Sequence, residues 1–254
     1  MANENGILAV RPVYRINNRA ENLAFFVGIL GMKVLLEEGA MVELGGNKSA
    51  RLTRLLLEES PADDGFRAVQ GRKRHAVTLL KTDKQEMNQL LMHAKAVQPD
   101  VLKDIYDAGF EAISPEGDHF IVYAEGCAFE KRALTEIAEA LTEEVPTLSD
   151  FEVTTVSLNV RHLPEATAVA HALGCELNGY HALTLGGVEI LFNEKKSGDL
   201  ASKETWDIES FDVLVTDAFD LSALAAAFDG AYLDAGEKVL SADTPLGLGF
   251  WFEK

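Results

Sequence analysis

The chain is poor in cysteine, in basic residues and in long apolar runs, and each shortage removes a class of protein. Only two cysteines, Cys127 and Cys175, occur in 254 residues. Two cannot make a disulfide framework, so a reduced, cytoplasmic setting is expected. Basic residues number 23 against 41 acidic ones, a net charge of −18. Such a surface repels phosphate backbones and anionic lipid, which argues against nucleic-acid and membrane-surface binding. The acids are dispersed rather than massed in one block, as on solvated faces. No apolar run of about 18 residues appears, so no membrane span is expected. The segment Met1–Arg11 has no basic stretch followed by a long apolar one, so no signal peptide is expected either. His-Glu-x-x-His, Gly-x-Ser-x-Gly and Asp-Thr/Ser-Gly patterns are all missing, which removes the usual marks of metalloproteases, serine hydrolases and aspartic proteases.

What is present is a repeat. The hydrophobic fraction of 47% is ample for folded cores. Ile7–Ile16 alternates as a strand, Asn17 and Asn18 supply a turn and helix cap, and Glu21–Leu30 carries helical spacing closed by Gly31. Extended pieces follow at Met32–Glu37, Ala40–Leu44 and Ala50–Leu57, separated by glycines. The order returns with the strand Arg74–Leu80, the helix Lys84–Ala96 and strands through Ala124. It returns again with Phe151–Val160, the helix Pro164–Leu173 and strands at Glu176–Tyr180, His181–Leu185 and Val188–Phe192. A fourth copy spans Trp206–Phe252, with its helix at Leu221–Phe228. Glu130–Glu143 reads as a connecting helix ended by Pro146.

Four strand-helix-strand-strand-strand units predict an α+β protein. One unit is too small to bury its sheet face alone, so units pair around a curved sheet. The expected division is a domain over 1–127, a helical connector over 128–149 and a domain over 150–254.

The motifs Val13-Tyr14-Arg15-Ile16-Asn17-Asn18, Phe25-Phe26 and Ile29-Leu30-Gly31-Met32 resemble the opening of glyoxalase-like, vicinal-oxygen-chelate (VOC) domains. The run Ser114-Pro115-Glu116-Gly117-Asp118-His119-Phe120 resembles their closing turn. Over nearly its whole length the chain is similar to the CppA family of streptococci and related lactic bacteria. Arg15–Arg19, Ile113–Asp118, Leu148–Glu152 and Thr205-Trp206-Asp207 carry this likeness. The resemblance implies two tandem VOC-like domains. It also brings the family's label, a complement-degrading proteinase, with a host complement protein as partner and surface display as the implied alternative location. Single-domain relatives form cavities by dimerising; two fused domains make a monomer or a dimer equally compatible with the sequence.

Metal-dependent members of the superfamily place ligands on set strands. Here those positions fall on Arg11, which cannot ligate, on His75, which can, and on Ile121 and Gly249, which have no donor atom. No metal and no cofactor are therefore expected. Alternation places Arg11 and Arg15 on one strand face, and His119 and Tyr123 on another. Together with His75 these form the expected ligand-binding set, suited to a small anion. The competing reading pairs each arginine with one of the many acids. An Arg15→Ala variant is expected to lose such a ligand while keeping its fold. Phe25 and Phe26 are expected in the core, Trp206 and Trp251 in sheet core or an interface, and both cysteines as unreactive structural residues. A proteinase and a protein-interaction module remain the alternative functions.

Overall fold

The computed structural model describes residues 6–48, 52–137, 145–195 and 204–254. The first repeat comprises β1 (Ile7–Ile16), α1 (Arg19–Phe26), β2 (Lys33–Glu38), β3 (Met41–Gly45) and β4 (Thr53–Glu59). The second comprises β5 (His75–Thr82), α2 (Lys84–Val97), β6 (Leu102–Tyr106), β7 (Gly109–Ile113) and β8 (His119–Ala124), followed by the short β9 (Lys131–Arg132). The third holds β10 (Glu152–Val160), α3 (Leu163–Ala172), β11 (Ala182–Leu185) and β12 (Val188–Glu194). The fourth holds β13 (Ile208–Val215), α4 (Leu221–Ala225), β14 (Tyr232–Leu233), β15 (Val239–Asp243) and β16 (Gly249–Glu253). Among the described residues no helix is long and apolar enough to cross a membrane.

Local chemistry explains the boundaries. Asn18 caps α1 by accepting the Glu21 N–H at 3.1 Å, and Asp83 caps α2 through Gln85 and Glu86. The expected second strand of the third repeat, Glu176–Tyr180, is irregular instead. There the Asn178 side chain accepts from the Tyr180 and Ala182 amides, at 2.9 and 3.0 Å, and closes a local turn. The connecting helix expected over Glu130–Glu143 is also corrected where the chain is described. Residues 130–137 form β9 and one 3-10 turn, and 138–144 lie outside the described residues. The Asp107 carboxylate accepts the Ala128 and Glu130 amides at 3.2 and 3.3 Å, and Ile105 of β6 pairs with Arg132; this backbone is committed before a helix can start.

Two eight-stranded sheets result, with orders β14-β15-β16-β13-β1-β4-β3-β2 and β11-β12-β10-β5-β8-β7-β6-β9. The repeats do pair, but not in sequence order. β1 of the first repeat runs antiparallel to β13 of the fourth, with Val10 opposite Val213 and Pro12 opposite Phe211. The second and third repeats share the other sheet, where β10 lies beside β5. Period-two alternation says which face a residue takes, not which strand lies alongside.

The chain packs as two compact units. One takes in the chain up to Arg15, Arg67–Ala76 and Thr155 onward; the other holds Ile16–Phe66 and Val77–Thr154. In the second, Phe25 and Phe26 of α1 pack on Phe120 of β8, with ring centroids 6.1 and 5.1 Å away, so both are core as expected. In the first, Phe211 stacks on Phe250 at 5.5 Å and Phe250 on Phe252 at 6.2 Å. Trp251, between them on β16, points the other way and is exposed, against its expected place in core or interface.

Candidate functional site

In the second unit β8 alternates cleanly, and its pairing with β7 carries the same two faces across. Phe110, Ala112, Phe120 and Val122 are fully buried, which turns Glu111, His119, Ile121 and Tyr123 to the opposite face. The ladder sets Glu111 across from Ile121 and Ile113 across from His119, so Glu111 and His119 are diagonal neighbours. Glu111 is the centre of the group. Its Oε1 lies 2.6 Å from His119 Nδ1 and 3.0 Å from Lys103 Nζ, and Tyr106 donates its hydroxyl to Oε2 at 3.2 Å. The Glu111 side chain is 7% exposed, His119 28%.

The protonation pattern follows. Burial pushes the Glu111 carboxyl up, but the hydrogen bonds and charges of His119 and Lys103 outweigh it and hold the group down at about 2. Burial and the Glu111 charge raise the Tyr106 phenol, which stays protonated and donating. A carboxylate 2.6 Å from His119 Nδ1 requires a proton on that nitrogen. Lys103 Nζ, 3.3 Å from the same nitrogen, is thus a neighbour and not a donor to it. His119 Nε2 has no hydrogen-bond partner among the described residues and faces the half-exposed side. A carboxylate-oriented imidazole of this kind is an acceptor when neutral and a second donor when protonated. Tyr123 flanks it, its hydroxyl 3.0 Å from Thr154 Oγ1 and its ring 5.5 Å from Phe129, which in turn meets Tyr106 edge-on at 5.7 Å.

The other three expected ligand-binding residues lie in the first unit, and both arginines among them are held in ion pairs. Arg11 Nη2 lies 2.6 Å from both Asp212 and Glu253. Arg15 is paired with Glu209. His75 is buried, edge-on to Tyr14 with centroids 5.1 Å apart. Its neighbour Arg74 is buried too; burial pushes its guanidinium down and the Asp207 charge opposes this. Of the five expected residues, then, His119 and Tyr123 share a face with an open imidazole nitrogen, and Arg11 and Arg15 sit in ion pairs. Glu111, Lys103 and Tyr106 were missed. Glu111 was nonetheless signalled by its position between Phe110 and Ala112, a carboxylate on the face opposite two core residues.

The metal of the fold's catalytic members does not fit these side chains. Arg11 is held in ion pairs, and Ile121 and Gly249 offer no donor atom. Among the described residues no three or more histidine, cysteine or acidic groups are placed to hold a metal ion. Neither cysteine is an activated nucleophile: burial raises the thiol of Cys127 and that of Cys175.

Paired strand-helix-strand repeats in two eight-stranded sheets define the class as the two-domain VOC fold. Solved structures agree. The chain is similar to glyoxalase I from Zea mays, at 15% identity and TM-score 0.58, covering 97% of this chain and 92% of that one. It is similar to a candidate dioxygenase from Bacillus subtilis, at 14% identity and TM-score 0.64, covering 98% and 86%. The cppA protein from Streptococcus pneumoniae TIGR4 matches at 26% identity and TM-score 0.74, covering 99% of both chains. The family descriptions CppA N-terminal and CppA C-terminal match residues 9–131 and 148–252. The chain belongs to the CppA family. No curated protein matches it.

Proposed function

We propose that the chain binds a small anionic ligand, without a metal, on the face of β6, β7 and β8. His119 Nε2 and the Lys103 ammonium make the polar contacts and Tyr123 forms a wall. The observation that carries this reading is the 2.6 Å approach of His119 Nδ1 to Glu111 Oε1, which fixes the ring and leaves Nε2 to a ligand. Glu111 is an orienting group and not a general base, because a carboxyl held near 2 does not take up protons at neutral pH. Lys103, 44% exposed and 3.0 Å from the buried Glu111, keeps its ammonium at the surface, where an anion can share it with that carboxylate. The arginines contribute to the fold rather than to the ligand. The proteinase label carried by the family receives no support from the two half-buried thiols, both of which burial pushes up.

The test is a titration of isotope-labelled protein with inorganic phosphate and with malonate, read by imidazole and lysine NMR shifts. Saturable shifts confined to His119 and Lys103, abolished by His119→Ala, are expected. Uniform shifts of all six histidines, or none, would overturn the reading.

A further inference from the structure

The face that carries Glu111 and His119 changes character along β8. His119, Ile121 and Tyr123 follow one another on it, spanning roughly 13 Å at the backbone given a rise of about 3.3 Å per residue. The polar end is the group of His119, Glu111 and Lys103. Ile121, half-buried and wholly apolar, lies in the middle. The other end is aromatic. The ladder puts Tyr106 across from Gly109 and Gly109 across from Tyr123, so both tyrosines stand in one row with a glycine between them. A Cβ on Gly109 would come within 3.1 Å of Tyr123 Cβ and 2.9 Å of the Val122 carbonyl oxygen, so glycine keeps this row free of a third side chain.

A ring from outside the strands joins the two tyrosines. Phe129, in the loop between β8 and β9, sets its ring 5.7 Å from that of Tyr106 and 5.5 Å from that of Tyr123. Its φ of 57° is a left-handed conformation that costs free energy for a residue with a Cβ. The Asp107 carboxylate fixes the loop by accepting the amides on either side, those of Ala128 and Glu130. Phe129 is nevertheless 38% exposed, so its own burial accounts for only part of why it is held there. The strained backbone keeps one aromatic ring at the end of this face, partly open to solvent.

The order polar, aliphatic, aromatic along one face describes the occupant. An anion on His119 Nε2 and Lys103 that ended there would leave Ile121 and the open part of Phe129 in water. A flat apolar body extending from the anion covers both and removes their surface from water. An aromatic body gains more than an aliphatic one, because it can meet the wall edge to face, the arrangement Phe129 already makes with Tyr106.

We propose that this face takes a small carboxylic acid carrying one aromatic ring, with the carboxylate at His119 and Lys103, the ring over Ile121 and its far edge against Phe129 and Tyr123. The inference rests on the anion-binding reading of His119 and Lys103 and adds the part of the ligand that decides specificity. Phe129 is the specificity-determining residue, because it meets the ring and not the carboxylate.

The full chain, isotope-labelled, is titrated with propanoate and with 3-phenylpropanoate, which share the carboxylate and differ in the ring. Both titrations are read through the imidazole shift of His119. 3-Phenylpropanoate is expected to bind about tenfold tighter, a difference that one ring covered by an aromatic wall can supply. Phe129→Ala should remove that advantage. Phe129→Leu, which keeps apolar bulk without the ring, should retain part of it, and circular dichroism checks that both variants keep the fold. 3-Cyclohexylpropanoate should bind the wild type severalfold more weakly than its phenyl counterpart. Equal affinities of propanoate and 3-phenylpropanoate, with phosphate still shifting His119, would overturn this inference and leave the anion site standing. An undiminished advantage in Phe129→Ala, or equal binding of the cyclohexyl acid, would overturn it as well. Failure of phosphate and both acids alike to shift His119 would overturn the anion site and this inference with it.

Discussion

The Asp207 carboxylate accepts the backbone N–H of His75 at 2.9 Å through Oδ1 and that of Arg74 at 2.6 Å through Oδ2, and it is fully buried. Its own carbonyl accepts the Arg15 amide at 3.0 Å. One side chain and one carbonyl thus tie together the entry of β5, the entry of β13 and the end of β1. The motif Thr205-Trp206-Asp207, which carries part of the family likeness, has a structural task.

Asp207→Ala is accordingly expected to cost about 3 kcal/mol or more, because it orphans buried amides and removes the charge facing Arg74. Asp207→Asn keeps one acceptor and should cost less. Urea unfolding followed by circular dichroism separates the two.

The Glu111 cluster makes stability depend on acid. The folded carboxyl sits at about 2 against an ordinary value of 4.5. The folded state therefore binds its proton more weakly, and the contribution is present in full above pH 4.5 and lost as pH falls towards 2. In Glu111→Gln the stability curve between these values should be flatter than in the wild type, and unfolding midpoints at pH 3 and pH 6 should move closer together. Equal slopes in the two proteins would contradict the pairing.

Arg15→Ala should now report on folding rather than on a ligand. Its side chain is 10% exposed and paired with Glu209, which the substitution leaves half-buried without that cation. A loss of about 1–3 kcal/mol is expected, with no change in phosphate or malonate affinity. An unaltered unfolding midpoint with weakened anion binding would restore the ligand role.

The four repeats were legible because each helix announces itself by period and cap, as Asn18 does for α1, and each strand by alternation, as in Glu152–Val160. The partner of each strand was not. Nothing in Val10 or Val213 names the other, and their pairing depends on the strand order of the whole sheet. His119 and Tyr123 were legible from alternation along one strand. Glu111 was not singled out because a lone glutamate on a strand gains meaning only once β6 and β8 bring Lys103, Tyr106 and His119 around it. Trp251 was misplaced because composition alone counts it as core, although register puts it on the face opposite Phe250 and Phe252.

The antiparallel pairing of β1 with β13 has a consequence for biosynthesis. Arg11 and Asp212 are separated by 201 positions in the chain. At ~5–20 residues per second, a ribosome takes about 10–40 s to supply the second strand after the first. Throughout that interval the nascent β1, rich in valine and isoleucine, has an unfilled edge of the kind that recruits other strands. Such long-range closure also slows refolding in vitro. The order of translation thereby makes this strand the point at which a chaperone has most to protect.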